Sequence, residues 1–348
     1  SEMHTMYESK AGERGIFSRV AAQKVAARNG RRDAEQDFGT NPCSEIILRS
    51  NQFCNLSEVV IREGDTLASL KKKVETAAII GTLQATLTDF RYLRNLWKRN
   101  TEEEALLGLS MTGIMDHPTL GNSSDKTKQW LEELKEVAIT TNKIWAEKLG
   151  IAQSVAITCV KPSGTVSQLV DSASGIHPRF SKQYIRRVRS DKKDPLAVFM
   201  EDKGFPVEQD VMSPASAVFS FPVKAPEKSV TVAEVGAMQQ LELWKTYQNH
   251  WCEHKPSITV YYTDNEFLQV AQWIWDNFEI CSGISLLPVS DHVYQQAPYE
   301  DISIEKYNEL LAAMPQGVSW EDLENFEQED NTTGSQELAC TGGACEIV

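Results

Sequence analysis

The feature that most restricts the fold is a change of rhythm near residue 154. Beyond it, short β-branched or apolar runs alternate with helix-period segments. SVAITCV (154–160), SITVYY (257–262) and GISLLP (283–288) read as strands, and AVFSFPV (217–223) as a weaker one. Between and after them come a helix reaching about His250, a second over 264–278 and a last over about 303–313. Thr231 and Glu234 read as a capping box for the first of these. Strands alternating with helices imply parallel pairing and an α/β architecture, since a parallel crossover needs a long connection that a helix fills. Upstream, residues 67–98 carry helical periodicity, with Leu67, Leu70, Val74, Ala77, Ala78 and Gly81 on one side. Residues 125–149 form another helix, capped by Ser124 or Asp125 and stopped by Gly150, with Trp130, Leu131, Leu134 and Val137 at helical spacing. Residues 1–40 read as a polar, loop-rich entry. From about Ser319 the chain is acidic, then Thr/Gly-rich, and reads as a mobile tail.

Charge and length narrow the function. At roughly 100–200 residues per domain, 348 residues allow two or three domains or one large α/β unit. The net charge of -14 and the lack of a basic stripe argue against direct nucleic-acid binding. No apolar run approaches the ~20 residues that span a bilayer, and no signal peptide opens the chain, so neither a membrane nor secretion is expected. The chain starts Ser1-Glu2-Met3 without an initiator Met and reads as a piece of something longer, or a processed product. Seven cysteines, an odd count, argue against a secreted disulfide framework and point to a reducing, cytoplasmic setting. There is no CxxC pair, so a zinc ribbon is disfavoured and no metal set is assigned.

Three stretches carry chemistry. In Asn41-Pro42-Cys43-Ser44-Glu45 a thiol lies two residues from a carboxamide and two from a carboxylate; Cys54-Asn55-Leu56 follows. In an extended segment, positions 41, 43 and 45 would share a face. That trio suits a polyol: sulfur handles a hydrogen, carboxylate a hydroxyl proton, and amide orients. A structural cysteine in a turn, with surface Asn and Glu, is the plainer reading. Lys161-Pro162-Ser163-Gly164-Thr165-Val166-Ser167 leaves the strand 154–160. Its small residues would offer free backbone N–H groups to a phosphate, without Walker A spacing, or would simply form a tight turn. Cys340 and Cys345 flank Thr-Gly-Gly-Ala near the end of the chain. Paired thiols on a glycine-rich tail with no core to pack in suggest thiol–disulfide exchange; a metal-binding tail is the rival.

These features, with GLSMTGIMD (108–116), SGIHPRF (174–180), GISLLP and YQQAPYE (294–300), make the chain similar to the C-terminal half of ribonucleotide reductases. The adenosylcobalamin-dependent (class II) ribonucleoside-triphosphate reductases are the nearest likeness. The resemblance implies the C-terminal part of a ten-stranded α/β barrel over 1–318, without its N-terminal half, and a flexible redox tail over 319–348. It implies that Cys43 becomes the thiyl radical that abstracts the ribose 3′-hydrogen, and that Glu45 is the base on the 3′-hydroxyl. Asn41 would hydrogen-bond the ribose hydroxyls. Cys54 would be one of the two cysteines that reduce the substrate, its partner lying in the absent half. Cys340 and Cys345 would re-reduce that disulfide and be reset by thioredoxin. Pro162, Ser163, Gly164, Thr165, Val166 and Ser167 would hold the substrate phosphates. The cofactor implied is adenosylcobalamin and the substrate a ribonucleoside triphosphate. The fragment alone is expected to be inactive; Ser1 is even usable as a junction nucleophile for protein splicing. The alternatives are a class I portion fed by a separate radical-generating subunit, or a non-catalytic relic. Tyr261-Tyr262 bears on the first, because class I enzymes relay a radical through an adjacent tyrosine pair. Neighbours on a strand face opposite sides, so the pair reads instead as one core and one surface residue. Cys159, Cys252 and Cys281 read as core thiols, and His177 as a satisfied structural histidine.

Overall fold

A computed structural model describes residues 2–9, 15–227, 229–289 and 295–328, and the backbone alone of 340–341 and 344–345. In chain order the elements are α1 (Glu2–Ser9), β1 (Gly15–Ile16), α2 (Arg19–Ala27), β2 (Gly39–Thr40), β3 (Ile47–Leu48), β4 (Asn55–Val60), α3 (Leu67–Gln84), α4 (Asn95–Glu104), β5 (Leu107–Thr112), α5 (Asp125–Leu149) and α6 (Thr165–Leu169). There follow β6 (Gln183–Asp191), α7 (Pro195–Asp202), β7 (Val207–Gln209), β8 (Ser216–Lys224), α8 (Ala237–His250), β9 (Thr259–Tyr262), α9 (Phe267–Asp276), β10 (Ile284–Pro288), β11 (Tyr299–Asp301) and α10 (Ile304–Ala313). The described chain divides into two compact units, one within residues 2–179 and 232–289, the other within 180–231 and 295–328. Among the described residues no helix is long and apolar enough to cross a membrane.

The first unit is α/β with parallel pairing, as the alternation predicts. β4 pairs in parallel with β5, and β9 with β10. Between them the segment 156–160 is joined by isolated parallel bridges, Thr158 to Leu109 and Val160 to Pro256. Five successive stretches of chain thus run side by side in sequence order, and β1 adds an antiparallel edge to β10. The middle stretch is less regular than the strand expected, but every residue from 156 to 160 is buried. All six residues of β5 are buried too, Ser110 and Thr112 among them, as in a parallel strand covered on both faces. α3 packs on β4, β5 and α5.

Several local expectations change. α5 runs from the Ser124 cap, whose Oγ accepts from Thr127 N–H, to Gly150 at φ 67, as predicted. The 67–98 helix breaks after Gln84 and resumes at Asn95. Thr86 Oγ donates to Leu83 O at 2.8 Å, the hydroxyl-to-backbone competition that ends helices. α8 is not capped by Thr231. Its N-cap is Gly236, and the Glu266 carboxylate accepts from Ala237 N–H at 2.9 Å. Residues 1–40 contain α2, whose Ala21, Ala22, Val25 and Ala26 are buried, with Ala22, Val25 and Ala26 packed against Phe38 and Ile47. Its alanine stripe is too weakly hydrophobic to stand out in the sequence.

The second unit is antiparallel, in the order β11-β6-β8-β7. Parallel pairing does not extend to AVFSFPV. β8 instead pairs with β6 over nine residues in antiparallel register. Ala217, Phe219 and Phe221 alternate onto one face, against Ala197, Phe199 and Met200 of α7. The residues beyond Ser319, expected as tail, continue this unit: 320–325 form a 3-10 helix, and Leu323 and Phe326 join the same core.

Candidate functional site

Residues 41–45 form a tight turn, not an extended segment. Ser44 N–H donates to Asn41 O at 2.9 Å, and Ser44 takes a left-handed φ of 67. Asn at the first position and Pro42 at the second favour such a turn. The three candidate residues are gathered by the turn rather than by strand alternation. Asn41 Oδ1 accepts from Ile46 N–H at 3.0 Å, which closes the turn on its far side. Cys43 is half-buried, and its carbonyl accepts from Ser257 Oγ at 2.5 Å.

Glu45 is not a surface residue: its exposure is 0%. Oε1 lies 3.3 Å from Lys161 Nζ, whereas the buried Oε2 has no hydrogen-bond partner among the described residues. Lys161 also hydrogen-bonds the Cys43 side chain. Burial works against its charge, but Glu45 and Cys43 outweigh it, so its pKa stands above that of an ordinary lysine. One ammonium therefore serves the thiol and the carboxylate together. Cys54 leads into β4, and burial pushes its thiol strongly up, with the Glu45 charge adding and Arg32 opposing. Cys159 feels Glu45, Cys54 and Lys161 as well, so this core thiol lies in the same charge neighbourhood. Both sulfurs hold their protons firmly. Gly108 leaves space beside Cys54, since a Cβ there would lie 3.2 Å from Sγ and 2.4 Å from Leu56.

The stretch 161–167 is brought beside this turn through Lys161, but the backbone donors of Ser163 and Gly164 are not free. Ser163 N–H and Gly164 N–H both donate to Ser174 Oγ, at 3.0 and 3.3 Å. Ser163 Oγ donates to the Glu58 carboxylate, whose Oε1 is buried without a partner among the described residues. Burial raises the Glu58 pKa against the opposing effects of Ser163 and Lys161. Ser167 is buried and bonds back to Gly164 O at 2.6 Å. Pro162 is buried and Val166 is 48% exposed; the side chain of Thr165 lies outside the described part, as do those of Cys340 and Cys345.

Tyr261 and Tyr262 are both buried, at 7% and 1% exposure, so the pair is not one core and one surface residue. β9 is covered on both faces, as parallel strands are. Sequence reasoning missed Lys161, Lys255, Glu58 and Ser174 as site residues. The available signal was a lone charge inside a strand-forming run, as in Glu58 of CNLSEVV; nothing local marks Lys255.

No family model matches the chain. It is similar to adenosylcobalamin-dependent ribonucleoside-triphosphate reductases. That of Lacticaseibacillus paracasei is 27% identical, covering 97% of this chain and 50% of its own length. That of Euglena gracilis is 29% identical over 88% of this chain and 42% of its own. A crystal structure of a B12-dependent (class II) ribonucleotide reductase superposes with a TM-score of 0.74 at 23% identity, over 94% of this chain and 50% of that one. The fold is thus shared with part of that enzyme, and the chain spans about half the length of the curated relatives it matches.

Proposed function

We propose that this chain supplies the reacting turn of a ribonucleotide reductase that uses adenosylcobalamin, reduces ribonucleoside triphosphates and works with an N-terminal region this chain does not contain. The observation that carries the reading is the Lys161 ammonium shared by Cys43 and Glu45 on one turn, with Glu45 Oε2 buried and unpartnered among the described residues. A buried carboxylate oxygen without a donor is costly unless a ligand provides one, and a ribose hydroxyl is such a donor.

The thiols fit the cofactor named for the relatives. Cys43 is half-buried on a turn, within reach of a ligand. When bound, adenosylcobalamin supplies the carbon radical that takes a hydrogen atom from a thiol. Cys43 sulfur then takes the 3′-hydrogen of the sugar and returns it at the end. Glu45 accepts the 3′-hydroxyl proton as the 2′-hydroxyl leaves as water, carrying off a proton from one of the two reducing thiols. Two S–H bonds are lost and one S–S bond forms, with Cys54 as one partner and a cysteine of the absent region as the other. That oxidation provides the two electrons the sugar gains. Cys340 and Cys345 then exchange with the new disulfide and are reset by thioredoxin. For Pro162–Ser167 to hold phosphate, Ser163 and Gly164 must release Ser174 Oγ. Burial raises the Glu58 pKa, which lessens the repulsion its carboxyl group would offer the anion.

The test combines this chain with the N-terminal half of a relative, adenosylcobalamin and a reductant, and measures deoxyribonucleotide formation without any second subunit. Cys43→Ser should abolish all turnover. Cys340→Ser or Cys345→Ser should block turnover driven by thioredoxin while sparing that driven by a small dithiol. A folded, complete complex with no turnover would overturn the proposal in favour of a non-catalytic protein, and tail variants that lose both activities equally would remove the shuttle role.

A further inference from the structure

Behind the reacting turn lies a lysine that the chemistry above does not use. Lys255 is 0% exposed. Its Nζ donates to Ser44 Oγ at 2.6 Å and to Ser282 O at 3.1 Å, and it sits 4.8 Å from the centroid of the Phe17 ring. Three acceptors thus match the three hydrogens of an ammonium. Among the described residues it makes no ion pair. The space is shaped for it: a Cβ on Gly283 would fall 2.4 Å from Nζ and 3.0 Å from Ser44 Oγ.

Its neighbours continue the arrangement. Lys255 N–H donates to Glu45 O at 3.3 Å, and Ser257 Oγ to Cys43 O. Three successive turn residues are therefore held from one short segment, itself fixed by Val160 N–H to Lys255 O and Ser257 N–H to Val160 O. Ser44 has the left-handed backbone that a non-glycine residue adopts at a cost. Glycine would relieve that cost, but it would remove the hydroxyl that Lys255 grips.

We propose that Lys255 is a positioning residue: through Ser44 it fixes the turn that sets the Cys43 sulfur and the Glu45 carboxylate against Lys161. The inference rests on the reading of Cys43 and Glu45 as the reacting pair. Its grip varies with pH. Burial lowers the Lys255 pKa to about 7, and Glu45 is the charge that opposes the fall. Of the other ionisable neighbours, His254 is held neutral by burial, and Lys161 is engaged with Glu45 and Cys43. Above pH 7 the amine has one hydrogen fewer and the three-way hold is incomplete.

The experiment needs no turnover. The purified chain is treated with iodoacetamide, and the rate at Cys43 is followed by mass spectrometry relative to a free thiol in the same tube, from pH 6 to 9. Lys255→Met and Gly283→Ala should each raise the Cys43 rate at pH 6.5 by about fivefold, the population change that loss of one hydrogen bond brings, with Cys159 and Cys252 still protected. The wild-type ratio should inflect near pH 7, and the Lys255→Met ratio should not. A Lys255→Met protein with the wild-type rate and inflection overturns the proposal. Where both variants expose Cys159 and Cys252, Ser44→Ala decides: a raised Cys43 rate supports the grip and an unchanged one overturns it. Because wild-type turnover is not measured, failure of the reductase reading would leave this result standing, and the two failures are distinguishable.

Discussion

His177 places a constraint on stability that is separate from its distance to any reacting atom. Its Nδ1 lies 3.1 Å from Ser174 O, and its Nε2 accepts from Thr259 N–H at 3.0 Å. Both bonds together require the neutral ring, because protonation takes the lone pair that Thr259 uses. Burial accordingly lowers its pKa to about 4, from 6.5. As pH falls below 6.5, the unfolded chain takes up a proton that the folded one refuses. Stability is therefore intact above 6.5 and declines by about 1.4 kcal/mol per pH unit from this residue, until the folded ring also protonates near 4. Equilibrium urea unfolding between pH 7 and 4.5 should show a shallower loss in His177→Gln than in wild type; equal slopes would refute this account of His177. At this scale the sequence singles out Asn41, Cys43 and Glu45 as candidates by type and spacing. It hid the residues that act across distance. Lys161 meets Glu45 from 116 positions away and Lys255 meets Ser44 from 211, and no local pattern encodes either approach.

Elements were legible where their causes are local. α5 carries its cap, its period and its stop within its own residues, and these fix its ends. The cap of α8 comes from Glu266, 29 positions on, so the nearer Thr231–Glu234 pattern misled. β6 was missed because QYIRRVRSD, with three arginines, does not read as apolar; its Arg187 and Arg189 spend their charge on Glu300 and Asp210. Two glycines show how an element's surroundings set the cost of one methyl group. Gly150, at φ 67, ends α5 with nothing near a would-be Cβ, so Gly150→Ala should cost about 1 kcal/mol, the backbone penalty alone. Gly175, at φ 54, would place its Cβ 2.6 Å from Lys161 O. Gly175→Ala must push the backbone of the residue that bridges Cys43 and Glu45. It should cost on the order of 3 kcal/mol and also change Cys43 alkylation, which Gly150→Ala should leave alone. Urea midpoints of the two variants check the ordering, and equal costs would mean that the Lys161 carbonyl yields freely.

At the scale of the whole molecule, the composition shift at Ser319 marks where the sequence turns acidic, but not where packing ends. Acidic residues there coexist with apolar ones at a spacing that a 3-10 turn brings to one side. Trp320 lies 5.4 Å from the Phe199 ring and 5.9 Å from Phe205, and Phe326 meets Phe199 edge-on at 5.4 Å. Lys203 Nζ pairs with Asp322 at 3.0 Å on the same side. Phe199 is fully buried, and these rings are part of what buries it. A chain ended after residue 318 keeps all of β6, β7, β8 and α7 but exposes that face. Compared with a chain ended after 328, it should lose on the order of 3 kcal/mol in the second unit, the cost of removing large aromatic side chains from a core. Phe199→Ala in the longer chain should cost a similar amount by opening the same cluster from the other side. Combining the two changes should cost less than their sum, because each removes what the other packs against. Urea unfolding followed by near-ultraviolet circular dichroism measures all four chains. Strict additivity, or equal midpoints for the two chain ends, would show that residues 319–328 rest on this unit without stabilising it.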